Sequence, residues 1–67
     1  MTIRLNNEMT RLPEEGMTVA DLLEWKGIHI NGTAVAVNGS LASRDKWNVT
    51  KLSDNDDVVV ISAAFGG

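Results

Sequence analysis

The sequence has no cysteine. That absence removes disulfides, thiolate metal ligands and a thiol nucleophile together. Histidine is nearly absent too: His29 stands alone. One imidazole without thiolates cannot fill the four positions of a structural zinc site. A Ser-His-Asp arrangement would have to be built on that single loop residue. There is no tyrosine, and the aromatic residues are Trp25, Trp47 and Phe65. No apolar run is long enough to span a bilayer. The N-terminal stretch Met1-Thr2-Ile3-Arg4-Leu5 alternates instead of forming a signal-peptide core. These absences lead to the expectation of a cytoplasmic protein with no membrane partner. Basic residues are few, and the net charge is −3. With no basic patch to displace counterions, nucleic acid is not an expected partner. The same charge favours a protein partner with a basic docking surface.

What is present is enough for one small domain. The chain has 67 residues and is 43% hydrophobic, which places it among globular chains of thin stability margin. Ile3 and Leu5 alternate with polar neighbours and predict a strand. Asn6-Asn7-Glu8 turns the chain, and Met9 to Leu12 returns as a second strand. Pro13-Glu14-Glu15-Gly16 is turn chemistry. A helix is predicted over 19–26. Thr18 caps it, Asp21 completes a capping box, Met17 and Leu22 form a staple, and Gly27 ends it. Val19, Leu22 and Leu23 share its apolar stripe, with Trp25 at the edge. Asn31-Gly32 is a turn signal. A third strand, Ala34 to Val37, leads into Asn38-Gly39, a strong hairpin signal. Ser40 to Ala42 is a short fourth strand, and Ser43 to Trp47 reads as a polar turn pinned by the tryptophan. The continuous apolar run from Val58 to about Ala63 predicts a central fifth strand. The order β-β-α-β-β-β makes an α+β domain, a mixed sheet covered on one face by one main helix.

Few residues could carry chemistry. Asp54, Asp56 and Asp57 do not meet the requirements of a calcium-binding EF-hand loop, whose sixth and twelfth positions would fall on Val59 and Phe65. They read instead as a solvated turn, with Asn55 suited to a left-handed conformation. The chemical signal is at the other end of the last strand, in Ala64-Phe65-Gly66-Gly67. Glycine costs the most backbone entropy to order and brings nothing to pack. A terminal diglycine makes sense where the end must be thin enough to enter a narrow channel, reaching at most about 7 Å beyond the preceding residue. The α-carboxylate of Gly67 would be ionised at neutral pH and able to attack an activated phosphate. The expected division is therefore a folded domain over 1–63 and a flexible tail over 64–67. Such a chain reads as a substrate or carrier without catalytic residues of its own.

The same segments carry a resemblance. The first strand ending in Asn6, the run Glu15-Gly16-Met17-Thr18-Val19 into Leu22-Leu23-Glu24, and Ala34-Val35-Ala36-Val37-Asn38-Gly39 are similar to the β-grasp, ubiquitin-like sulfur carriers. So are Arg44-Asp45-Lys46-Trp47, Leu52-Ser53-Asp54-Asn55-Asp56-Asp57-Val58 and the final Gly66-Gly67. The Arg-x-x-Trp segment resembles the thiamine-biosynthesis carriers, the ThiS family, more than the molybdopterin-synthase small subunits. Two positions depart from that pattern: Asn55 stands where glycine is usual, and Phe65 where a smaller residue is usual. The resemblance implies adenylation of Gly67 by an E1-like adenylyltransferase that uses ATP and magnesium, with no cofactor bound to the carrier. Sulfur from a cysteine desulfurase then gives a thiocarboxylate, which donates sulfur to thiazole synthase. Gly66, Phe65 and Ala64 would form the tail in the partner channel. A molybdopterin-synthase type carrier and a conjugated ubiquitin-like modifier remain alternatives.

Overall fold

The computed structural model of the chain describes residues 1–62. These form β1 (Thr2–Leu5), β2 (Glu8–Arg11), α1 (Val19–Lys26), β3 (Thr33–Val37), β4 (Ser40–Ala42), a 3-10 turn (Arg44–Lys46) and β5 (Asp57–Ser62). The strands make one mixed sheet in the order β2-β1-β5-β3-β4. β5 is central, parallel to β1 and antiparallel to β3, as its apolar run predicts.

Both hairpins close on two-residue loops. Leu5 pairs with Glu8 around Asn6-Asn7, and Val37 pairs with Ser40 around Asn38-Gly39. Asn6, Asn7, Asn38 and Gly39 all have positive φ, as a type I′ turn requires and as the right-handed strand twist favours. Asn55 is also left-handed, with φ 72°, the conformation expected of it in the acidic loop. That loop is more than a solvated turn. Asp56 accepts from the Ser53 amide at 2.8 Å and from Asn38 Nδ2 at 3.0 Å, and Asp54 accepts from the Thr2 amide at 2.8 Å. Its carboxylates thus tie the start of β5 to β1 and to the β3–β4 hairpin.

A helix of eight residues is marginal by itself, and its first amides normally lack partners. Here each has one. The Thr18 N–H donates to Asp21 Oδ2 at 3.0 Å, and the Asp21 N–H donates to Thr18 Oγ1 at 3.1 Å. The Val19 and Ala20 amides donate to the carbonyls of Thr50 and Trp47, at 2.9 and 3.1 Å. The helix N-terminus is therefore sewn to the chain segment that follows β4. At the other end Gly27 is left-handed. Its N–H reaches the Glu24 carbonyl, and the Ile28 N–H reaches the Leu23 carbonyl at 2.9 Å, the reverse bonds of a Schellman motif. Thr18→Ala removes the cap and leaves the Asp21 amide without its acceptor. The expected loss is about 1 kcal/mol of unfolding free energy, read from urea denaturation with the m-value unchanged.

The core lies between α1 and one face of the sheet. Val19, Leu22 and Leu23 pack with Ile3, Leu5, Val35, Val58 and Val60. Leu12, Met17, Trp47 and Leu52 join this cluster from the connecting segments. Trp47 is 4% exposed, and its Nε1–H donates to the Ala42 carbonyl at 2.9 Å. The indole thus buries its body while its polar atom stays paired. Trp25 at the helix edge is half exposed, with Lys26 Nζ 5.6 Å from the ring centroid.

Candidate functional site

The residues singled out by sequence, Ala64, Phe65, Gly66 and Gly67, lie outside the described residues. The structure describes the platform that leads to them. β5 alternates: Val58 and Val60 are buried against the helix side, while Val59 and Ile61 point to the opposite face. Register extends that face across the sheet. Ile61 pairs with Ala34, Val59 with Ala36, and Ala36 with Leu41. At the other margin Arg4 pairs with Met9, and Thr2 with Arg11. Val59 is 40% exposed, Ile61 64%, Met9 65% and Leu41 77%.

Among the described residues no helix lies over this apolar sheet face, which runs up to the last of them in β5. Exposed apolar surface of this kind makes it a candidate interaction site. Two guanidinium groups, Arg4 and Arg11, stand on the same face. Asp57, opposite Arg4 in the β1–β5 register, stands on this face as well, so charges of both signs flank its apolar centre. Sequence reading missed the face. The signal was available in principle, because one helix can cover only one side of a sheet. A central strand apolar at every position must then leave half of its side chains uncovered.

A second feature is local to the exit of β5. β1 stops at Leu5, opposite Val58, while β5 runs on to Ser62. Over this stretch Asn6 takes the place of a further strand residue. Its Oδ1 accepts from the Val60 N–H at 2.8 Å, and its Nδ2 donates to the Val60 carbonyl at 3.2 Å. On the helix side of the sheet there is a separate shallow groove of about 730 Å³, lined by Ala20, Ile30, Arg44, Asp45, Trp47 and Asn48. Arg44 at its rim donates to Asn31 Oδ1 at 2.6 Å.

A mixed sheet with one helix across one face, an open apolar second face and a central last strand leading to the chain end defines a β-grasp, ubiquitin-like domain. The ThiS family profile matches residues 3–67, and the chain belongs to the ThiS family. The fold is similar to that of the crystal structure of a thiamine biosynthesis protein (ThiS) from Geobacter metallireducens. The match covers all of both chains with a TM-score of 0.85 at 23% identity. It is also similar to the solution structure of a thiamine biosynthesis protein from Geobacter metallireducens, covering all of this chain and 88% of that one, with a TM-score of 0.83 at 25% identity. No curated protein sequence matches the chain. Among the described residues, no helix is long and apolar enough to cross a membrane.

Proposed function

We propose that the chain is a sulfur carrier of thiamine biosynthesis, a protein co-substrate whose reactive group is the Gly67 carboxylate. The observation that carries this reading is the family match, which runs through residue 67 and so includes the diglycine. The chemistry follows from the carboxylate. One of its oxygens attacks the α-phosphorus of ATP, pyrophosphate leaves, and the mixed anhydride has AMP as a good leaving group. The terminal sulfur of a persulfide then displaces AMP. Reduction of the resulting sulfur–sulfur bond by a thiol leaves the thiocarboxylate, the form that donates sulfur to thiazole synthase. An E1-like adenylyltransferase supplies magnesium and the charge that stabilises the transferring phosphate.

The tail, residues 64–67, enters the partner's channel, and the partner grips folded surface beside it. The open sheet face is that surface in this reading. Ile61→Asp places a charge in its apolar centre without touching the core. The expected result is a loss of about 1–3 kcal/mol in binding to the adenylyltransferase, in the hot-spot range, with an unchanged melting temperature. Titration calorimetry with the purified partner checks it, and unchanged affinity moves the docking site elsewhere. The reading as a whole is tested by mixing the full chain with adenylyltransferase, ATP and magnesium. Pyrophosphate released in step with the carrier added supports it; release that does not depend on the carrier overturns it.

A further inference from the structure

We propose that Asn6 is a positioning residue that sets the direction in which β5 delivers the tail and holds Val59 and Ile61 on the open face. This rests on the carrier reading above for its consequence in the reaction, but not for its geometry. The parallel ladder between β1 and β5 ends where β1 turns into the hairpin. The Arg4 and Asn6 amides donate to the carbonyls of Asp56 and Val58 at 2.8 and 2.9 Å. Beyond them, the backbone neighbours of β5 among the described residues lie on the β3 side alone, through Ala34–Ile61 and Thr33–Ser62. The primary amide of Asn6 has the donor and the acceptor of a peptide unit. Directed at Val60, it supplies the rung that β1 no longer can, across a separation of 54 residues.

Asn38 mirrors this at the start of the strand. Its Oδ1 accepts from the Asp57 N–H at 2.9 Å. β5 is thus held by one hairpin asparagine near each end. The clamp at Val60 fixes the backbone between Val59 and Ile61, the two β5 side chains on the open face. It also fixes the last part of the strand before the tail. Without it, the segment after Val58 is held from one side only. It can then swing about the Val58 rung, and the patch and the tail cease to be presented together.

The turn and the clamp separate by substitution. Asn6 has φ 49° and Asn7 φ 69°, so glycine fits either position without strain. Asn6→Gly removes the clamp and keeps the turn. Asn7→Gly, whose side chain makes no hydrogen bond to the described residues, is the matched control for added backbone entropy. Two readouts decide. In the free full-length chain, amide hydrogen exchange should accelerate at Val60, which loses its acceptor, and at Ile61, the next rung toward β3, in Asn6→Gly, with Val35 and Val58 as protected as in Asn7→Gly. In adenylation of the chain, KM should rise about tenfold in Asn6→Gly, the scale of two neutral hydrogen bonds. The maximal rate should stay at the Asn7→Gly value, because the reacting carboxylate is untouched. Exchange that rises uniformly along β5, or not at all, overturns the proposal. So does an unchanged KM when the parent chain is adenylated. If the parent chain is not adenylated, the carrier reading fails instead, and the exchange pattern decides the role of Asn6 without it.

Discussion

A chain lacking Gly66 and Gly67 is expected to fold as the full chain does and to lose ATP-dependent adenylation completely. The buried cluster from Ile3 to Val60 lies within the described residues, and glycine adds no side chain to it. Removing two such residues should change stability by no more than about 0.5 kcal/mol, the scale of surface changes. The chemical effect is of another order. The carboxylate of the shortened chain would end at Phe65, about 7 Å short of the position it must reach, and it would carry an aromatic side chain into a channel matched to glycine. Thermal melting and pyrophosphate release check the two halves separately. A large fall in melting temperature would show that the diglycine is structural, and normal adenylation would remove Gly67 from the mechanism.

Trp47→Ala is expected to leave the domain largely unfolded near body temperature. The indole is almost fully buried and touches the cluster that joins the helix to the sheet, and truncating such a residue costs about 3–5 kcal/mol. A domain of this size has about 3–10 kcal/mol in total. One further connection goes with the side chain: the indole N–H holds the end of β4 through the Ala42 carbonyl. Circular dichroism with a urea titration measures the loss. A cost below about 1 kcal/mol, the scale of a surface change, would show that the segment after β4 is a cover and not part of the core.

These two expectations draw on different levels of what the sequence made readable. Local chemistry was legible wherever one residue type satisfies a backbone requirement. Thr18, Asp21 and Gly27 set the helix at 19–26, and the structure places it there. Asn38-Gly39 set the second hairpin, and Asn55 took the left-handed position in the acidic loop. The central place of β5 followed from its unbroken apolar run. Less was legible wherever the answer depends on which face another element covers. Val59 and Ile61 have the same chemistry as Val58 and Val60, and only the position of the single helix separates core from platform.

The role of Asn6 was out of reach for a related reason. As a turn residue it needs only positive φ, and Asn6-Asn7 announces that much. Its bond to Val60 depends on β1 and β5 being parallel neighbours with β5 the longer. That is a property of sheet order, not of local sequence. Net charge is silent on placement in the same way. A sum of −3 does not say that Arg4 stands between Met9 and Asp57 on the open face. The candidate site is therefore legible in two parts. The chemistry proposed for it is read from the last residues, and the platform before them is set by a sheet whose order the local pattern does not spell out.

The proposed sulfur carriage turns on one atom at the Gly67 carboxylate. Intact-mass measurement of the protein isolated from its native cells, followed by fragmentation of the C-terminal peptide, tests it directly. A sulfur carrier should show a fraction of molecules heavier by the difference between sulfur and oxygen, with the change located on Gly67. A terminal carboxylate that is never sulfurated, together with higher-mass species in which Gly67 is joined through an isopeptide bond to a lysine, would contradict it and make the chain a conjugated modifier.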